Sequence, residues 1–232
     1  MNQARGFTLI EMAIVLVIIT VLIGGLAMPL SAQIQARRIA ETRADMRAIQ
    51  DALIGYAMRQ PAGQPYLPCP DNNGDGDEDP RGADDECLRI RGGLPWRTLG
   101  ADEADAWGSR HTYAVSKPFT NSAGFESVDD GDLDVHKSST CSGDGMTDVA
   151  VVIVSHGPNA RGAQNMSGGT PLAPVSVPAD ERANLPTSTA APCTDRGFVS
   201  HSPNQDFDDL VVWLHPNILR DRLCREGCPP TP

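Results

Sequence analysis

Aromatic residues make up only 5% of this 232-residue chain, and no cysteine occurs before Cys69. With hydrophobic content of 40% set against 22 Gly and 19 Pro, the composition excludes a large uniform core and implies many turns and loops. A basic face is missing as well. Residues 1–58 carry five Arg and four acids, a balance of +1, whereas residues 59–232 carry 14 Lys/Arg and 26 Asp/Glu, a balance of −12. The downstream part has no electrostatic footprint for nucleic acid, which is not an expected partner. Catalytic signatures are also lacking. No His-Glu-x-x-His, phosphate-binding loop or dinucleotide fingerprint appears. Ser155 and His156 are adjacent in sequence, a poor geometry for a nucleophile and its base, and Gly157 fits a turn, not a nucleophile elbow. The chain is not expected to be an enzyme.

The six cysteines that are present all follow residue 68: Cys69, Cys87, Cys141, Cys193, Cys224 and Cys228. Their confinement places this part of the chain in an oxidising compartment. Six cysteines allow fifteen pairings. Pairing of sequence neighbours, Cys69–Cys87, Cys141–Cys193 and Cys224–Cys228, is the preferred arrangement. The Cys224-Arg-Glu-Gly-Cys228 spacing is read as a disulfide ahead of zinc, because no second close ligand pair stands nearby.

One long apolar run is present. Met12 to Leu30 contains no charge, and these nineteen residues would form ~28 Å of helix, enough for a bilayer core. Arg5 on the leading side would hold that end in the cytoplasm, which puts the cysteine-bearing part across the membrane. A signal peptide cut near Leu30-Ser31-Ala32 and an ordinary signal anchor are the competing readings. Neither gives Glu11, a charge at the entrance of the run, a reason to be there.

Gly6-Phe7-Thr8-Leu9-Ile10-Glu11 resembles the processing site of type IV prepilins and type II secretion pseudopilins. The resemblance implies cleavage by prepilin peptidase between Gly6 and Phe7, and methylation of Phe7 as the new amino terminus. Glu11 would be the fifth mature residue. Its carboxylate would pair with the amino-terminal charge of a neighbouring subunit, where a dry surrounding makes an unpaired charge costly. Pro29 would be the twenty-third mature residue, one beyond the proline of many major pilins, and would kink or locally melt the helix.

Beyond the apolar run, Met46, Ile49, Leu53 and Tyr56 recur at three- and four-residue intervals and predict an amphipathic helix over 31–58. Arg38 with Asp45, and Arg47 with Asp51, put opposite charges on or near its other side; only the second pair has the i,i+4 spacing. Pro61 to Pro65 ends the helix. Of the seventeen positions between Cys69 and Cys87, eight are acids and one is Arg. Asp71, Asn73, Asp75, Gly76 and Asp79 fit positions one, three, five, six and nine of a calcium loop. Gly82 stands where its closing glutamate would be, so this is not an EF-hand; Asp84, Asp85 or Glu86 would close a calcium site, and a solvated acidic loop is the alternative.

Asp105-Ala106-Trp107-Gly108 and the strand His111–Val115 resemble a turn and aromatic strand of the major pseudopilins, with Ala106 in place of their proline. Residues 116–147 read as irregular, Asp148–Val154 as a buried strand, Ser155–Asn159 as a sharp turn, Pro171–Pro192 as a long loop and Leu210–Leu214 as the last strand. The turn after one strand and the acids before the last again resemble pseudopilin C-terminal regions. That resemblance implies Asp206, Asp208 and Asp209 as calcium ligands, with backbone oxygen from Ser155 or its neighbours.

The expected fold is α+β and pilin-like: a long N-terminal helix, its first half membrane-spanning, packed on a small antiparallel β-sheet domain with long loops. The expected divisions are a leader, 1–6; a transmembrane and assembly helix, 7–30; its amphipathic continuation, 31–58; and a disulfide-bearing periplasmic domain, 59–232. The resemblance implies a structural subunit, a minor pilin or pseudopilin, of a type IV pilus or type II secretion-like fibre. Its partners would be other pilins, prepilin peptidase, the inner-membrane assembly platform and lipid. It would sit in the bacterial inner membrane with a single pass and then enter the fibre. The alternative is a membrane-anchored or secreted calcium-stabilised binding domain outside any fibre.

Overall fold

The computed structural model describes residues 8–61, 64–126, 130–140, 145–166, 177–186 and 196–223, with the side chains of 23–29 outside that set. The chain divides into two units, residues 1–40 and 41–232. One helix, α1 (Leu9–Met58), passes through both. In the first unit it is a single exposed helix, with apolar side chains such as Ile14, Leu16, Val17 and Ile18 facing outward. Among the described residues no helix is long and apolar enough to cross a membrane; residues 23–29, in the second half of the apolar run, lie outside the described side chains.

The second unit begins on the amphipathic half of α1. Met46, Ile49, Leu53 and Tyr56 are all buried, as their spacing predicts. Around them the chain forms two sheets. The larger has the order β1 (Arg91–Gly93), β2 (Thr112–Val115), β5 (Val151–Ser155), β7 (Leu210–Leu214), antiparallel throughout. The β-branched run of β5 explains its central position, because every residue in it is buried. Ala114, Val152 and Val154 face Leu133, Val135, Val149 and Phe198 of the smaller sheet. Burying each such valine or leucine contributes about 1.5–3 kcal/mol. The opposite face carries Tyr113, Val151 and Ile153, also fully buried, and α1 reaches this sheet where Gln50 Nε2 donates to the Trp213 carbonyl at 3.0 Å.

The smaller sheet has the order β4 (Met146–Val149), β3 (Leu133–His136), β6 (Gly197–Val199). Its β3–β6 pairing is parallel, which corrects the expected all-antiparallel sheet. Two further expectations change here. The strand expected over 148–154 is broken at Ala150, so that β4 joins the small sheet and β5 the large one; Asp148 takes a φ of 60° just before the break. The stretch expected to be irregular contains β3, whose alternating burial is a period-two signal carried by Leu133 and Val135. Short helices α2 (Trp96–Leu99), α3 (Ala179–Ala183) and α4 (Pro216–Leu223) complete the unit. Of these, α3 lies in the expected 171–192 loop.

Candidate functional site

At the start of α1, Thr8 and Glu11 form a capping box. The Thr8 N–H and its hydroxyl both donate to Glu11 Oε2 at 2.9 Å, and the Glu11 N–H donates to Thr8 Oγ1 at 3.3 Å. The Thr-x-x-Glu spacing is its sequence signature, which the reading of Glu11 as an assembly charge passed over. Glu11 is exposed and anchored at a helix start, so its carboxylate stands ready at the end of an exposed apolar helix. Gly6 and Phe7 lie outside the described residues.

The acidic loop is organised by its own backbone. Cys69 and Cys87 form a disulfide that closes it. Asp71 is buried; its Oδ1 accepts the N–H groups of Asn73 and Gly74, and its Oδ2 that of Gly76. Asn73 Oδ1 accepts from Asp75 N–H, and Asp75 Oδ1 from Asp77 N–H. Asp79 Oδ2 accepts from Asn72 Nδ2. Gly76 is fixed by both φ, 87°, and space, since a Cβ there would lie 2.4 Å from the Trp96 ring. The residues placed in calcium-loop positions are therefore brought together, but their oxygens are directed to N–H groups. Glu78, absent from the sequence expectation, ties the loop to α1. It accepts from Tyr56 Oη at 2.5 Å and from Cys69 N–H, and pairs with Arg81 at 3.0 Å. Burial, then the bonded Glu78, push the Tyr56 hydroxyl well above its usual range.

A second acidic cluster lies at the turn after β5. Gly157 has φ 60° and packs so close to the Asp208 backbone that a Cβ would meet its carbonyl oxygen at 2.5 Å. This brings Asp208 and Asp209 beside Glu181 of α3, with one ligand atom of each carboxylate within 4.8 Å of the others. Glu181 is fully buried and accepts from Asn159 Nδ2 at 2.7 Å, with Arg161 at 3.5 Å. Asp209 is 3% exposed; its Oδ2 accepts from Asn184 at 2.8 Å, while its Oδ1 lies 3.7 Å from His156 Nδ1 and accepts no hydrogen bond among the described residues. Asp208 Oδ1 is likewise buried and unbonded. Desolvation, with Glu181 close by, pushes the Asp208 carboxyl up to about 6. Asp206 is not in the cluster: it is exposed, and its N–H donates to Asn204. Glu181 takes the third place, carried in by α3 within the expected 171–192 loop. No local motif announces it.

The neighbouring Ser155 and His156 do not act on one another. Ser155 Oγ donates to Asp105 Oδ2 at 2.6 Å, and His156 Nε2 bonds Thr112 Oγ1 at 2.8 Å. Both residues are fully buried, so no nucleophile faces solvent there. Asp105 also accepts the N–H groups of Trp107 and Ser109, which fixes the turn at Gly108. Beside it His111 is buried with both ring nitrogens unbonded. The remaining expected cysteines, Cys141, Cys193, Cys224 and Cys228, lie outside the described residues.

Residues 1–27 match the family model described as the prokaryotic N-terminal methylation motif. This is the type IV pilin and pseudopilin signature. The match is confined to this N-terminal segment, where it supports a type IV pilin-like or pseudopilin subunit. It implies processing by prepilin peptidase and assembly with other pilins. No curated protein matches the chain, and no solved structure does.

Proposed function

We propose that this chain is a fibre subunit of the type IV pilus or type II secretion kind, cut between Gly6 and Phe7, methylated at Phe7 and assembled through its N-terminal helix. The carrying observation is the exposed apolar helix that starts at a bonded Glu11. In water such a surface is unfavourable, so lipid or a bundle of like helices must cover it. Residues 7–30 serve as the anchor in the inner membrane, and the disulfide-closed domain lies on the periplasmic side. The loop-rich acidic domain is that of a specialised, minor subunit, and its work is packing and presentation, not turnover.

The test is Glu11→Gln. The variant should insert in the membrane at wild-type level, while its incorporation into fibres falls about tenfold or more, the cost of leaving one charge unpaired in a dry setting. Unchanged incorporation would sink the pairing of Glu11 with a neighbouring amino terminus.

We further propose a calcium ion at Glu181, Asp208 and Asp209. Three carboxylates converge there against one arginine and His156, whose Nδ1 lies 3.7 Å from Asp209 Oδ1, and two of their buried oxygens accept no hydrogen bond among the described residues. A hard divalent cation suits such a donor set, and bound there it would neutralise the charge and tie α3 to the segment before β7. In the 71–79 loop the carboxylates already accept N–H groups, which favours the buried cluster over that loop as the place of the ion.

A further inference from the structure

The two edges of the larger sheet carry an apolar knob and an apolar cleft. Strand order puts β1 at one edge and β7 at the other, three strand spacings or about 14 Å apart. Leu88 stands just before β1 and is 72% exposed, more than any other large apolar side chain described outside α1. It projects from a tight hairpin. There the Gly82 N–H donates to the Glu86 carbonyl at 2.8 Å, the backbones of Arg81 and Cys87 pair, and Cys87 is bonded to Cys69. A side chain held in this way loses little freedom on docking. Exposed Asp85 and Arg89 flank it, and neither makes a side-chain hydrogen bond or ion pair among the described residues.

At the β7 edge a cleft of about 230 Å³ opens between the two sheets. Val135 and Met146 of the smaller sheet and Trp213 of β7 form its apolar wall. Its volume is below the ~300–1,000 Å³ of clefts that hold drug-sized ligands, and it suits one inserted side chain. Exposed Lys137 lies at its border, and exposed Asp148 stands two residues along β4 from Met146. Knob and cleft therefore each set one cation and one anion beside an apolar centre. We propose that Leu88 of one copy inserts against Val135, Met146 and Trp213 of a second copy, with Asp85 toward Lys137 and Arg89 toward Asp148. The occupant is a copy of this chain because the charges match, and because a chain's own Leu88 stands across the sheet from its own cleft. A contact between opposite edges is head-to-tail, and it repeats along a filament instead of ending at a pair. The contact uses no residue of α1. It rests on the fibre-subunit reading only for holding copies close enough to make so small a contact.

The experiment places a photoreactive benzoylphenylalanine at position 88 of the full-length chain, expressed with prepilin peptidase and the assembly platform. Irradiation should give a cross-linked dimer whose adduct maps by mass spectrometry to Val135, Met146 or Trp213 of the second copy. Met146→Asp puts a charge on the cleft wall and should lower the dimer yield about tenfold. Met146 is 40% exposed, so this change leaves the core intact. Met146→Leu keeps the wall apolar and should hold the yield within about twofold. An adduct on another protein, on lipid or elsewhere on the second copy overturns the proposal. A yield indifferent to Met146→Asp overturns it too. The same probe at Ile14, exposed on the apolar part of α1, reports whether copies come together at all. Dimers through position 14 and none through position 88 sink the edge contact alone. Dimers through neither position remove both this contact and the fibre-subunit reading.

Discussion

His111 shows how a single residue can set a pH limit on this domain. It is 2% exposed, and among the described residues neither ring nitrogen has a hydrogen-bond partner. Burial therefore lowers its pKa to about 4, against the opposing pull of Asp105 and Asp102 and with the help of His156. A histidine that protonates near 6.5 when unfolded and only near 4 when folded binds more protons in the unfolded state between those values. Stability must then fall as pH drops from about 6.5 to about 4, by on the order of 3 kcal/mol. Denaturant midpoints measured from pH 7 to pH 4 should show this loss in the wild type. His111→Leu should remove most of it, leaving only the slope due to carboxylates. Parallel curves for the two proteins would mean that His111 does not titrate in this window. The sequence shows this histidine only as a strand residue; its isolation depends on the turn that Asp105 bonds and on the burial of β5 behind it.

At the scale of the element, the segment from Cys69 to Cys87 has the same character. Its hydrophobic content is small, yet it holds a fixed course through buried Asp71, through Glu78 on Tyr56 and through the disulfide. A cross-link at a separation of 18 residues restrains the unfolded chain by about 3 kcal/mol. Replacing both cysteines by serine should therefore lower the unfolding free energy by roughly 3 kcal/mol. The Tyr56–Glu78 contact should be weakened and Tyr56 more exposed to solvent, which ultraviolet difference spectroscopy would register. A stability loss of less than about 1 kcal/mol would show that the hydrogen bonds alone hold the loop.

Elements of this kind also show what a sequence can and cannot convey. The buried stripe of α1 and the strand Leu210–Leu214 are local patterns, and each was legible because spacing alone defines it; the capping box has such a spacing too, but Glu11 was read only as an assembly charge. Asp71, Asn73 and Asp75 were legible as oxygen donors in register. Whether an oxygen faces an ion or a backbone N–H is decided by the path of the loop, and no spacing encodes that. Glu181 and Asn184 were not legible at all. They arrive from the expected 171–192 loop by contacts across 15 to 25 residues: Glu181 reaches Asn159, and Asn184 bonds both Val199 backbone groups and Asp209. The parallel β3–β6 pairing is hidden for the same reason, since it joins strands about sixty residues apart.

Across the whole molecule, charge is what differs most between the helix and the domain it carries. The domain holds all of the net acidity, and one part of that acidity is buried where solvent cannot screen it. Carboxylates at Glu181, Asp208 and Asp209 repel one another across a few ångströms; Arg161 beside Glu181 and Asp208 supplies one positive charge, and His156 Nδ1 lies 3.7 Å from Asp209 Oδ1. A calcium ion there would bind the folded state and not the unfolded chain, so it must raise the unfolding midpoint by mass action. At calcium concentrations about a hundredfold above the dissociation constant the gain is about 2.7 kcal/mol, which for a domain of this size is roughly 5–10 °C. Melting the full chain in about 10 mM calcium and again in chelator measures it, if affinity falls in the range of extracellular calcium modules, about 10⁻⁴ M. Glu181→Gln keeps the acceptor for Asn159 and removes one charge, so it should raise the midpoint in chelator and abolish most of the response to calcium. Asp75→Asn, in the loop whose carboxylates already accept N–H groups, should leave the response intact. A wild-type midpoint indifferent to calcium would remove the ion from this cluster. A response lost with Asp75→Asn but kept with Glu181→Gln would move it to the disulfide-closed loop, where the sequence first pointed.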